Sequence, residues 1–133
     1  QAPASKLSEH DDHHFVNNQS TVLRFDLGGI IYHTAGDLQN EGNNLLIGSV
    51  PALGCDIYKC QWHGDANACN EAICKATHPP YAFSNYHNSP TRAGRDKTRA
   101  RLTAVGTKFF SNYVYGDIYF LIQDGKINVR TIR

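Results

Sequence analysis

Short runs of alternating hydrophobic and polar positions cover most of the chain, and the period changes once. Thr21-Val22-Leu23-Arg24-Phe25 is a β-prone run closed by Gly28-Gly29, and Ile30-Ile31-Tyr32-His33 follows as a second strand. Leu45–Gly48 and Cys55–Cys60 supply two more short strand candidates. Between 65 and 76, Cys69, Ala72, Ile73 and Ala76 fall at i, i+3, i+4 and i+7, one face of a helix. Asp65 is its predicted N-cap, and His78-Pro79-Pro80 its stop. The period then returns to two over Tyr81–His87, Lys97–Val105, Lys108–Tyr115, Ile118–Ile122 and Lys126–Arg130. Tight spacing predicts an antiparallel meander for the last four of these runs. An Asp124-Gly125 turn pairs Ile122 with Ile127 and gathers Ile118, Phe120, Ile122, Ile127 and Val129 on one face of a closing hairpin. The expected fold is α+β: one helix packed on an antiparallel sheet that ends in a C-terminal hairpin. Residues 1–19 are polar and aperiodic, a flexible arm ahead of a single domain over 20–133.

Composition narrows this picture. The chain has 133 residues, 41% hydrophobic and 19% charged, with 13 basic against 12 acidic residues. That describes one folded domain of balanced charge, so only a local patch can attract a polyanion. No run approaches the ~20 apolar residues of a membrane span. Cys55, Cys60, Cys69 and Cys74 lie within twenty residues and contain no C-x-x-C pair, which favours disulfides over zinc. Cys69 and Cys74 stand about 140° apart on the predicted helix. They are therefore expected to bond to Cys55 and Cys60, in either order, and to staple the helix to the preceding segment. With Gln1-Ala-Pro-Ala at the front and a sequon at Asn18-Gln19-Ser20, the chain reads as a secreted, extracellular protein.

Candidate chemistry is local. On a strand over 97–105, alternation places Lys97, Arg99 and Arg101 on one face; with Arg92 and Arg95 they make a cationic patch. Such a patch suits phosphate, and Tyr81 and Phe83 on a neighbouring strand are suited to stacking on bases. His87, near the basic loop, is the candidate acid or base. His10, His13 and His14, with Asp11 and Asp12, form a candidate metal cluster in the arm. No motif calls for a cofactor.

Four stretches carry a resemblance. Tyr58-Lys59-Cys60, the Cys-bearing helix, Pro80-Tyr81-Ala82-Phe83-Ser84-Asn85-Tyr86, and the hairpin from Gly116 to Ile127 occur in the order of the microbial guanyl-specific ribonucleases. Over roughly 55–133 the chain most resembles their secreted fungal descendants, the ribonuclease-like effectors. The resemblance implies lost catalysis. Tyr81 stands where that family has its first catalytic histidine, Ile118 its arginine and Arg133 its second histidine, and 97–105 holds no carboxylate for its glutamate. The expected function is a secreted, catalytically silent effector, a monomer binding host RNA or a host protein, and acting inside host cells or outside them. One alternative is an active secreted ribonuclease or toxin using His87 with Arg95, Arg99 and Tyr81. Another is an extracellular structural or metal-binding module.

Overall fold

The computed structural model describes residues 16–85 and 92–133, apart from the side chains of 92 and 93. The chain is α+β and closes with the expected C-terminal hairpin. Strands β1 (Leu23–Asp26) and β2 (Ile31–Thr34) form an antiparallel hairpin around Gly28-Gly29. Helix α1 (Asn40–Ser49) leads to β3 (Ile57–Lys59), and α2 (Glu71–Thr77) leads to β4 (Tyr81–Ser84). Helix α3 (Arg92–Ala104) precedes β5 (Lys108–Ser111), and a single turn, α4 (Asn112–Tyr115), leads into β6 (Asp117–Gln123) and β7 (Lys126–Ile132). The sheet order is β1-β2-β3-β4-β5, with β6-β7 a separate ribbon.

Pairing is parallel from β2 through β5. The antiparallel meander is therefore corrected to a run of strand–helix–strand crossovers, the connection parallel neighbours require. Two predicted strands are helices. Leu45–Gly48 belongs to α1, and Lys97–Val105 lies mostly in α3. Among the described side chains of α3, Thr98 and Leu102 are fully buried while Ala100 between them is exposed, a helical and not an alternating pattern. Arg, Ala, Lys and Leu are also good helix formers. The predicted helix begins later than expected: Asp65 only closes a local turn onto Asn67 N, while Asn70 caps α2 by accepting from Ile73 N at 2.8 Å.

The two faces of the sheet are covered differently. Leu46 and Ile47 of α1, Cys69, Ile73 and Cys74 around α2, and Leu102 of α3 pack on Tyr58, Cys60 and Ala82 to make the core. On the opposite face Phe120 of the ribbon meets Tyr81, Phe83 and Phe110 at ring separations of 6.3, 5.5 and 6.3 Å. The half-buried side of the ribbon is the Ile118/Phe120/Ile122/Ile127/Val129 face, and Ile122 pairs with Ile127 as expected. Asp124 and Gly125 both have positive φ, +49° and +69°, as a type I′ hairpin turn demands.

All four cysteines are free thiols in the interior, so the disulfide staple is not part of this fold. Burial pushes the Cys55 and Cys74 thiols up to about 12 and raises Cys60 as well. Thiolate is thus scarce at neutral pH. The native protein is expected to resist an aqueous maleimide and to yield four reactive thiols once denatured; fewer than four would contradict this core. The sequon is silent too. Asn18 is buried, and its Oδ1 accepts from Gln39 N and Gly42 N at 2.9 and 3.2 Å, so residues assigned to the arm already belong to the fold.

Candidate functional site at the strand ends

In open sheets of parallel strands joined by helices, ligands bind outside the carboxyl ends of the strands. Here the ends of β2, β3 and β4 carry Asp37, Trp62-His63 and Asn85. Two contacts tie these loops together. Trp62 N donates to Gly36 O at 3.1 Å, which sets the loop after β3 beside Asp37. His63 Nδ1 lies 3.1 Å from Asn85 O, just beyond β4. In the neutral imidazole that bond keeps the proton on Nδ1 and makes Nε2 the basic nitrogen. Asp37 is itself anchored through its N–H, which donates to Ser20 Oγ at 3.1 Å.

The backbone here is strained. Trp62 (φ +40°, ψ +51°) and His63 (φ +55°, ψ +22°) are successive left-handed residues without glycine's freedom. Such conformations cost about 1–3 kcal/mol each and persist only where the surroundings enforce them. The enforcement is a buried amide ladder: Gln61 Nε2 donates to Asn43 Oδ1 at 2.8 Å, and Asn43 Nδ2 to Ala68 O at 2.6 Å. Gly64 completes the left-handed run at φ +87°, where a Cβ would lie 3.1 Å from Ser84 Cβ. The result is a half-exposed carboxylate and a half-exposed imidazole on neighbouring loops, able to accept from or exchange protons with a ligand at the crest. Among the described residues no group of three or more His, Cys, Asp or Glu is placed to hold a metal ion.

Beside this crest, β4, α4 and β6 border a shallow, open hollow of about 450 Å³ lined by Phe83, Asn85, Asn112, Asp117, Ile118 and Tyr119 among others. Gly116 turns the chain into β6 at φ +70°, and a Cβ there would run into the carbonyl of Ile132.

The predicted cationic patch is redistributed. Arg101 is structural: its Nη1 donates to Ala66 O at 2.6 Å and to Cys69 O at 2.9 Å. The Arg95 guanidinium lies 5.6 Å from the centre of the Tyr113 ring, joining α3 to α4. Lys97 and Arg99 are exposed on α3. Tyr81 and Phe83 lie on the other face of the sheet, under the ribbon, with Lys108 over Tyr81 at 5.8 Å. The strand reading had joined Arg99 and Arg101 with these rings, and the helix separates them. His10, His13, His14, His87 and the Arg92 side chain lie outside the described residues. Sequence reasoning passed over Asp37 and His63; their signal was position, each just past a predicted strand.

No family model matches the chain. It is similar to competence protein ComA of Neisseria gonorrhoeae, at 26% identity over 123 residues, which is 88% of this chain and 17% of that protein. It is also similar to ComE operon protein 3 of Bacillus subtilis (strain 168), at 30% identity over 67 residues, 50% of this chain and 9% of that protein. The chain thus spans well under a fifth of either relative. These bacterial likenesses overturn the expected fungal effector with a ribonuclease-like role and the ribonuclease or toxin alternative, and they point away from the extracellular module, whose tail histidines lie outside the described residues. Among the described residues, no helix is long and apolar enough to cross a membrane.

Proposed function

We propose that this chain is a DNA-engaging domain of the competence type, with its contact surface at the carboxyl ends of β2–β4 and along the exposed flank of α3. Competence is a bacterium's capacity to take up DNA, and both relatives carry that word or a related operon name. The observation that carries the reading is the crest: a strained Trp62-His63 pair fixed beside Asp37 and Asn85, where a sheet of this kind holds its ligand.

Helix α3 supplies the attraction for phosphate. Its thirteen residues include Arg92, Arg95, Lys97, Arg99 and Arg101 against Asp96 alone, a local excess of four positive charges on a nearly neutral chain. Since α3 starts just after the β4 crest, it carries that charge away from the site at ~1.5 Å per residue. Lys97 and Arg99 are exposed and suited to phosphate oxygens.

The test is fluorescence anisotropy of a labelled DNA fragment titrated with salt. A Lys97→Glu/Arg99→Glu double variant is expected to bind more weakly and to lower the slope of log affinity against log salt by about two phosphate equivalents. Unchanged affinity and slope would remove α3 from the interface. Absence of DNA binding by the wild-type chain would remove the function.

A further inference from the structure

We propose that the hollow between the end of β4 and the α4–β6 corner is a subsite for an unpaired nucleobase. This rests on the DNA reading above and adds a separate claim, that the chain holds bases as well as phosphates.

The lining decides the ligand class. Phe83, Ile118 and Tyr119 give apolar and aromatic surface, while Asn85, Asn112 and Asp117 give the polar groups. Among the described residues no cation lines it, and Asp117 would repel an anion such as phosphate. A carboxylate accepts only, and a side-chain amide both donates and accepts. Together they match the edge of a planar base bearing an exocyclic amino group and a ring acceptor. The volume of about 450 Å³ lies within the ~300–1,000 Å³ typical of small-ligand sites.

The surroundings fit the same ligand. Tyr113, Tyr115 and Tyr119 are 57, 39 and 44% exposed, an unusual concentration of accessible rings at one corner. Exposed aromatic rings flanked by cations form the platform on which unstacked bases lie. The cation is Arg95, over Tyr113. Asn85 links the hollow to the crest, because its carbonyl receives His63. A strand with phosphates at the start of α3 would have to cross the crest at the end of β4 to place a base in the hollow, which opens on the Phe83 side of the sheet.

The experiment uses single-stranded oligonucleotides carrying 2-aminopurine at one position, matched oligonucleotides abasic at several positions, and the corresponding duplex. Wild-type protein is expected to quench 2-aminopurine in the single strand, to leave it unchanged in the duplex, and to bind the abasic strand at least fivefold more weakly. Tyr119→Ala, at an exposed position, is expected to abolish the quenching and remove the preference for the base-bearing strand with the salt slope unchanged. Asp117→Asn, which keeps the shape and removes the acceptor-only edge, is expected to weaken binding of aminated bases over thymine. Equal affinity for abasic and base-bearing strands, or Tyr119→Ala weakening both alike, overturns the subsite and leaves salt-dependent DNA binding standing. Failure to bind any DNA overturns both.

Discussion

Arg101→Ala is expected to destabilise the fold by about 2–4 kcal/mol, the largest single effect among the α3 cations. One guanidinium nitrogen holds two carbonyls, Ala66 O and Cys69 O, at the two ends of the turn that precedes α2. Hydrogen bonds to a charged donor contribute about 1.5–3 kcal/mol each, and truncation leaves both carbonyls without that donor. The same turn shapes the crest, since Ala68 O receives Asn43 and Asn43 supports Gln61. The variant should therefore loosen the Trp62-His63 conformation as well. Lys97→Ala and Arg99→Ala touch only solvent-exposed positions and should change stability by less than about 0.5 kcal/mol. Urea denaturation of the three variants checks this. Equal, small losses at all three would mean that Arg101 is not the clamp described.

His33 is expected to make the protein acid-sensitive. It sits in β2 against Tyr58, 1% exposed, with ring centres 5.8 Å apart and neither nitrogen hydrogen-bonded. Burial, reinforced by the positive charge of Arg24, pushes its pKa down from 6.5 to about 4. The imidazole is thus neutral in the fold and takes up a proton more readily when unfolded. Its favourable contribution is complete above the unfolded value near 6.5 and is lost as pH falls toward about 4. The depression of about 2.5 pH units corresponds to about 3 kcal/mol over that window. Between about pH 7 and pH 4 the wild type should lose roughly that amount of unfolding free energy relative to His33→Leu as acid is added. Parallel curves would show that His33 does not titrate on unfolding.

Much of this fold was legible, and the failures have physical causes. The β6–β7 hairpin was clear because Asp124-Gly125 announces backbone that only turns adopt, whereas Gly28-Gly29 marks a break between two strands without deciding whether they pair with each other or extend the sheet. The segment Lys97–Val105 misled because alternation over Lys97, Arg99 and Arg101 is equally a stretch of helix seen through three residues. Thr98 and Leu102 share a face in either geometry, and the exposure of Ala100 between them is what separates the two. Leu45–Gly48 is a four-residue apolar run, and such a run has no period of its own. Cysteine density suggested disulfides, whereas here sulfur serves as small, buried packing around Tyr58. Asp37 and His63 are single residues in loops, 26 positions apart. They are brought together by parallel pairing of β2 with β3, which the antiparallel reading could not anticipate.

The central claim is that DNA meets this chain at the carboxyl ends of β2–β4 and along α3. Amide hydrogen exchange with and without a single-stranded oligonucleotide tests it most directly. Slowed exchange is predicted in the loops at 35–37 and 61–65, at the 112–119 corner and in the first two turns of α3, with little change at Leu23–Asp26 in β1. Protection confined to β1, or to the outward side of the ribbon around Leu121 and Asn128, would place the DNA elsewhere and contradict the account.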